Sequence, residues 1–220
     1  MSKMCFKDMF DFLNRLEKNN HKEWMDEHRN EYHQIRDWYI EWLNKLDIKL
    51  SMVDSNYTHT TGKQAINRIN NNLLFHPNKP VYKDHFGAAL DKTKGLGDFY
   101  IHLGIHGSFV AGGIHNPKND ILKSLRGALD YDGEEFVKIL NKPSFKRNFG
   151  AMMESDMLKT APKGYSQDHR FIDLMRYKSF SIKYDLDPQE IMASNFQDKL
   201  IDIYKEMLPF RRYLNHALTV

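Results

Sequence analysis

Six basic side chains offer the clearest chemistry in this sequence. They occupy two separate stretches of the chain and are Arg68, Lys79, Lys83, Lys163, His169 and Arg176. Arginine presents a planar fork of donors and lysine a point charge, so together such residues can hold a phosphate or a carboxylate. If the two stretches converge in the folded chain, the sequence predicts a site for an anionic ligand. Cations scattered over a solvated surface are the commoner explanation of such a set.

The second stretch, residues 158–180, also contains groups that could transfer protons. Pro162, Gly164 and several basic side chains follow one another there without the apolar spacing of a helix. Long ordered connections are often functional. Asp168 and His169 could act as an acid–base pair, because histidine titrates near neutral pH. Adjacent residues point apart on regular elements, so such a pair would need an unusual turn.

Three histidines in the middle of the chain could form a metal site. In an extended strand His102 and His106 point to the same side, and a hairpin could bring His115 close to them. Three imidazoles with an open position suit zinc or iron. The spacing matches no compact metal motif and no carboxylate adjoins it, so polar-face histidines of a sheet are the commoner explanation. The sequence therefore predicts neither a metal nor a cofactor.

Glycines interrupt the same region at Gly104, Gly112 and Gly113. Glycine within a strand usually marks a bulge and less often a close approach to a ligand. No Gly-x-Gly-x-x-Gly opens a helix, so the fingerprint of a dinucleotide site is missing. Cys5 has no activating partner nearby in the sequence that would make it a nucleophile.

The composition is that of a globular protein of 220 residues, with 41% hydrophobic and 28% charged residues. The single cysteine excludes an internal disulfide and suits a reducing compartment. No apolar stretch is long enough to cross a membrane, and the first residues lack the apolar core of a signal peptide. We therefore expect a cytoplasmic protein that has no membrane partner.

The net charge of +3 is small but unevenly distributed. Residues 63–94 contain six basic and two acidic residues, whereas residues 7–49 contain eight basic and ten acidic ones. The middle of the chain is therefore its basic part. The isoelectric point of about 8.7 falls short of that of a typical nucleic-acid-binding domain. The sequence therefore does not exclude nucleic acid as a partner, but no sequence motif supports it.

The helices that must position these residues follow from the spacing of apolar side chains. Residues 1–54 read as helical, beginning with a short amphipathic helix. Asn20 with Glu23 then resembles a capping box at the start of a long second helix. That helix carries an aromatic stripe, including Trp24 and Trp42, that we expect to be largely buried.

Residues 57–115 change to the alternation of strands, most clearly over residues 99–106. Residues 116–220 read as mostly helical, with one more strand near 177–184. Contiguous strands between helical ends are typical of the α+β class. We predict a single α+β domain over residues 1–220, with an antiparallel sheet packed against N-terminal and C-terminal helices.

Ordered motifs along the chain resemble those of a known family. They are Asn19-Asn20 with Trp24 near the start, Arg68-Ile69 with Tyr82-Lys83 in the centre, Gly112-Gly113 with Pro117 in a hairpin, and Pro162-Lys163-Gly164-Tyr165 with Asp168-His169 in a late loop. The chain resembles the uncharacterised family of mainly bacterial and some fungal proteins called domain of unknown function 2461. The resemblance covers nearly the whole chain and implies a single conserved domain. It implies no activity and no catalytic residue.

The central motif departs from the family's usual pattern. Asn71-Asn72 stands where the family usually has Arg-Asp, and Asn78 replaces a usual Asp. Leu74 replaces an Arg, and Val81 replaces a Pro. An asparagine can form hydrogen bonds but cannot serve as a general base. Either the missing charges were structural, or this chain binds its ligand differently.

Three classes of function remain open from the sequence. The first is a binding module for a phosphate- or carboxylate-bearing ligand, and the second is an enzyme that acts on such a small molecule. The third is a protein-interaction domain that uses an aromatic surface. A deep closed pocket would favour the enzyme, an open basic groove the binding module, and a flat apolar patch the interaction domain.

Overall fold

Helices lie before and after one four-stranded sheet in this computed structural model, which describes residues 4–154 and 157–218. The elements are α1 (Phe6–Lys18), α2 (Lys22–Glu27), α3 (Arg29–Ser51), α4 (Gly62–Ala65), β1 (His85–Leu90), β2 (Asp98–Gly104), β3 (Ser108–Ile114), α5 (Asn119–Asn141), α6 (Pro143–Phe149), α7 (Ile172–Met175), β4 (Phe180–Leu186), α8 (Pro188–Met192) and α9 (Phe196–His216). The sheet is antiparallel and has the order β1-β2-β3-β4. The predicted α+β class is therefore confirmed.

The chain divides into two compact units. The first contains the chain up to Lys92, Tyr100–Val110 and Asp185–Ile201, and the second contains Thr93–Phe99, Ala111–Tyr184 and the chain from Asp202 onward. The single domain over residues 1–220 stays a prediction, and its outermost residues, 1–3 and 219–220, lie outside the described ranges.

In the first unit, α1 and α3 bury the apolar faces that their sequence spacing predicts. Phe12 and Leu13 of α1 and Tyr39 and Leu43 of α3 are fully buried. The ring of Tyr39 meets that of Phe86 edge to face, with their centroids 6.0 Å apart. Such aromatic pairs add to the stabilisation from burial alone. This contact joins α3 to the first strand of the sheet.

The long second helix of the prediction is in fact two helices, α2 and α3, separated at His28. The Nδ1 atom of His28 lies 2.8 Å from the carbonyl oxygen of Trp24, and the two rings stack with centroids 3.9 Å apart. A side chain that satisfies a carbonyl at a helix end favours termination there. The N-cap of α2 is His21, whose side chain accepts a hydrogen bond from the Trp24 N–H. The predicted cap at Asn20 was wrong.

The two tryptophans of the aromatic stripe are partly buried. The ring of Trp42 packs against Phe6, Tyr39 and Phe196 at centroid distances of 5.1, 5.8 and 5.6 Å. Trp24 stacks on His28 and contacts Phe12 at 5.7 Å. Both rings therefore belong to the aromatic packing of the first unit, as the stripe predicts, while retaining some contact with solvent.

In the second unit, aromatic rings of α5 and α9 pack together. The sequence predicts one helix after Pro117 that contains Leu122, Leu125 and Leu129, and another over residues 134–140. A kink at Asp132, whose φ of −139° and ψ of 45° are not helical, divides α5 into two helical segments in agreement with this prediction. Phe136 follows the kink and is fully buried against Phe180 and Phe210. The lack of a donor at Pro209 predicts a kink or a restart of the C-terminal helix. In the structure Pro209 lies inside α9, and the helix continues to His216.

The last strand begins later than predicted. The sequence places a strand near residues 177–184, whereas β4 runs from Phe180 to Leu186. Tyr177 instead forms an isolated antiparallel bridge with Met157. The apolar alternation extends across both pairings, so it cannot mark where one ends and the other begins.

None of the helices within residues 4–154 and 157–218 is both long enough and apolar enough to cross a bilayer.

Candidate functional site

Two extended segments of the first unit, one containing Arg68 and the other containing Lys83, lie side by side. The backbone N–H of Lys83 donates to the carbonyl oxygen of Ile69 at 2.8 Å. Next along these segments, Asn70 and Tyr82 form an antiparallel bridge. Antiparallel pairing brings residues far apart in the sequence to opposed positions. The segment that contains Arg68 therefore lies beside the one that contains Lys83.

The loop between these segments, residues 72–80, contains Lys79. The side-chain amide of Asn71 donates to the carbonyl oxygen of Pro80 at 2.9 Å and closes the loop. Within the loop, the Lys79 N–H donates to the carbonyl oxygen of His76 at 3.1 Å. Asn71, which stands where the family usually has an arginine, thus has a structural role in this chain.

Asn20 holds the second segment in place from the N-terminal motif. Its side-chain oxygen accepts the backbone N–H of Tyr82 at 2.8 Å, and its amide donates to the carbonyl oxygen of Tyr82 at 3.0 Å. Asn20 therefore binds both backbone groups of the residue before Lys83. This contact explains why an asparagine occupies a position that does not cap a helix.

Lys83 is the electrostatic centre of this region. Its ammonium group donates to the carbonyl oxygen of Arg68 at 2.6 Å. Burial, and then the positive charges of Arg68 and Lys79, lower the pKa of Lys83 below its ordinary value. Among the ion pairs of the described chain, none joins these three residues to a carboxylate. We call Arg68, Lys79 and Lys83 the basic cluster.

The other three predicted site residues belong to the second unit. Lys163 is exposed in a turn. The Nε2 atom of His169 lies 3.0 Å from a carboxylate oxygen of Asp130, and Arg176 donates to Asp173 at 3.0 Å. The structure thus brings Arg68, Lys79 and Lys83 together and gives His169 and Arg176 acidic partners. Convergence of all six residues stays a prediction.

Comparison with known proteins decides the family. A family model described as "Conserved hypothetical protein (DUF2461)" matches residues 8–213. The chain belongs to the DUF2461 family. This confirms the resemblance that the sequence motifs indicate. Neither a curated protein nor a solved structure matches the chain.

The late loop of this DUF2461 protein is organised around two residues that the sequence reasoning missed, Arg126 and Asp130 of α5. Arg126 donates through Nε to the carbonyl oxygen of Met175 at 2.9 Å. Asp130 is the partner of His169. The acid–base pair with the neighbouring Asp168, for which the sequence requires an unusual turn, does not form. Arg126 and Asp130 are four residues apart and share a helix face. Their spacing of four residues is the feature of the sequence that could have indicated that they act together.

A second feature of the DUF2461 chain is a stack of rings in the first unit. The imidazole of His102 lies between His85 and Phe109, at centroid distances of 3.9 and 4.6 Å. Burial, and then the nearby His85, lower the pKa of His102 to about 4, although Asp84 acts in the opposite direction. His102 is therefore a neutral, packed side chain at physiological pH.

The three histidines considered as a metal site do not form one. In the parts of the chain that the structure describes, no group of three or more His, Cys, Asp or Glu side chains could hold a metal ion. His102 is packed between rings, His106 contacts Glu17, and His115 contacts Asn116. The sequence could not show these separate partners, because strand spacing alone fixes only the side to which a residue points.

We expect NMR titration of the His102 imidazole to give a pKa of about 4. Between pH 6.5, the ordinary value, and pH 4, the unfolded chain binds a proton at this position that the folded chain does not bind. Stability should therefore fall as the pH falls through this range, and the His102→Gln variant should lose less stability over it. Because burial is the main cause, Phe109→Ala should raise the pKa of His102. A midpoint near 6.5 in the unsubstituted protein would contradict this interpretation.

Proposed function

We propose that the basic cluster binds an anionic ligand that carries a phosphate or a carboxylate. The observation that supports this most is the state of Lys83. Its ammonium group is partly buried, its pKa is lowered by burial and by two neighbouring cations, and its hydrogen-bond partner is a neutral carbonyl oxygen. Three like charges close together repel one another unless a counter-charge is present.

A bound anion would remove this repulsion and accept hydrogen bonds from the cluster. Charge-assisted hydrogen bonds contribute about 1.5–3 kcal/mol each. Arg68 supplies a planar fork that matches two oxygens of one phosphate or carboxylate, whereas Lys79 and Lys83 supply point charges. The framework is held by backbone hydrogen bonds and by Asn20, so little ordering is needed when the ligand binds.

Binding suits the cluster better than catalysis does. Arginine and protonated lysine are hydrogen-bond donors only, and the neighbouring amides of Asn71 and Asn72 cannot take up a proton. An enzyme acting on a phosphorylated or carboxylated small molecule would need a base from another part of the chain. A cytoplasmic location stays a prediction from the cysteine content.

We expect inorganic phosphate to raise the thermal unfolding temperature more than sodium chloride does at the same ionic strength. A ligand at ten times its Kd adds about 1.4 kcal/mol to the free energy of unfolding. Lys83→Met and Arg68→Gln should each abolish most of the difference between the two salts, because each removes one charge of the cluster. Differential scanning fluorimetry over a series of concentrations measures the effect.

Lys45→Met is the matched control, because it removes an exposed lysine of α3 outside the cluster. It should keep the full response to phosphate. Equal responses of the unsubstituted protein to phosphate and chloride would reduce the effect to ionic screening and refute the proposal. Lys163→Met tests the wider site, since loss of the phosphate response in that variant is expected only if Lys163 joins the basic cluster.

A further inference from the structure

A cavity of about 370 Å³ lies between α5 and α9 in the second unit. Its lining residues recur at spacings of three and four on each helix, and they are Ser124, Gly127, Ala128, Tyr131, Asp132, Tyr213, His216 and Ala217. Such spacing places side chains on one helix face. The lining is mainly apolar, and the volume lies within the range of small-molecule sites.

Two tyrosines give this cavity aromatic walls. The hydroxyl of Tyr213 lies 3.1 Å from the carbonyl oxygens of both Ala128 and Asp132, at the kink of α5. Its ring packs against Phe136 with a centroid distance of 4.7 Å. The ring of Tyr213 is thus held from two sides before any ligand binds. Tyr131 also lines the cavity and is 91% exposed.

One carboxylate, that of Asp132, lines the cavity. Glu134 and Glu135 follow it on α5, where they pair with Arg170 and Lys138. Burial, and then the charges of these three carboxylates, raise the pKa of Tyr213 to about 12. The Asp132 carboxylate in the lining therefore favours a positively charged ligand over a neutral or an anionic one.

Gly127 keeps one wall of the cavity empty. A side chain built at this position would meet no heavy atom within 4 Å. Glycine destabilises the interior of a helix relative to alanine, so the absence of a side chain here lowers the stability of α5. The open volume in front of Gly127 is space that a ligand can occupy.

We propose that this cavity binds a small organic cation with an alkylammonium group. The rings of Tyr131 and Tyr213 hold the cation through their negative π faces, and the carboxylate of Asp132 balances its charge. The site lies in the second unit and takes a ligand of opposite charge to that of the basic cluster. It is therefore independent of the proposed anion binding.

The test compares choline with 3,3-dimethylbutan-1-ol, a neutral molecule of nearly the same shape. Each is titrated into the full chain and followed by ¹H–¹⁵N NMR. Choline should shift the amide resonances of residues 124–132 and 213–217 in a saturable way and bind at least about threefold more tightly than the alcohol. Asp132→Asn should weaken choline binding and leave binding of the alcohol unchanged. Equal affinities for the two molecules, or no shifts in these residues, would overturn the proposal.

A substitution that fills the cavity tests the location of the binding site independently of the charge of the ligand. Gly127→Leu places a side chain into the open volume and should abolish the choline shifts, whereas Gly127→Ala adds one methyl group and should keep most of them. Thermal unfolding of both variants checks that they are folded. Choline shifts that persist in a folded Gly127→Leu variant would place the binding elsewhere and refute the assignment. If the leucine variant does not fold, the response of Asp132→Asn decides the question.

Discussion

Replacing Phe136 with alanine should lower the free energy of unfolding by about 3–5 kcal/mol, the usual loss for a buried aromatic ring. Phe136 is fully buried, and its ring lies within 6.2 Å of Phe180, 5.5 Å of Phe210 and 4.7 Å of Tyr213. Its removal would leave a cavity at the point where α5, β4 and α9 of the second unit meet. Urea denaturation followed by circular dichroism measures the loss.

Tyr131→Ala is the matched control for this measurement. Tyr131 lies on the same helix and is 91% exposed, so its truncation should change stability by no more than about 0.5 kcal/mol. If Phe136→Ala also lost less than about 1 kcal/mol, the core of the second unit would not depend on this ring. The packing described for α5 would then be wrong.

Replacing Gly113 with alanine should be destabilising by about 3–5 kcal/mol. Gly113 has a φ of +116°, which side-chain-bearing residues rarely adopt, and strain of this kind costs about 1–3 kcal/mol. In addition, an added Cβ would lie 2.2 Å from the carbonyl oxygen of Phe180, so the neighbouring strand would have to move. The same denaturation experiment tests this expectation.

The Gly107→Ala variant separates the cost of backbone strain from the cost of the close contact with β4. Gly107 has a φ of +137° in the turn between β2 and β3, but a side chain there would meet nothing within 4 Å. Its substitution should therefore show the backbone strain alone, about 1–3 kcal/mol. Equal losses in the two variants would mean that the approach of Gly113 to β4 contributes nothing. The sequence suggested a bulge at Gly113, and the structure adds the close strand contact as a reason for glycine.

The two proposed ligand sites differ in charge and in the residues that test them. Lys83→Met should abolish the response to phosphate and keep the response to choline. Gly127→Leu should abolish the response to choline and keep the response to phosphate. A variant that loses both responses would indicate a general loss of folding. Cross-testing Lys83→Met with choline and Gly127→Leu with phosphate therefore gives each site an internal control.

The structure explains one of the departures from the family pattern in the central motif. Asn71 closes the loop that contains Lys79, which is a structural task that an amide performs well. We have no physical explanation for Asn78.

Element types and the charges available for a site could be predicted from the sequence. The apolar faces of α1 and of β2, the α+β class and the family all follow from local spacing and from ordered motifs. These features depend on residues close together in the chain, where helical and strand periods place side chains on one face. The helix break at His28 was missed, because the stripe of rings continues across it without a change of period.

Only the tertiary structure decided which of the candidate groups interact. Asn20 binds the backbone of Tyr82, 62 positions further along the chain, instead of capping the helix that follows it. His169 pairs with Asp130 rather than with its neighbour Asp168, and His102 is packed between two rings rather than joining a metal site. Hydrogen bonds, burial and pKa values depend on distances between residues remote in the sequence. The sequence by itself therefore determined the elements and their charges, while the packing of those elements decided the partners.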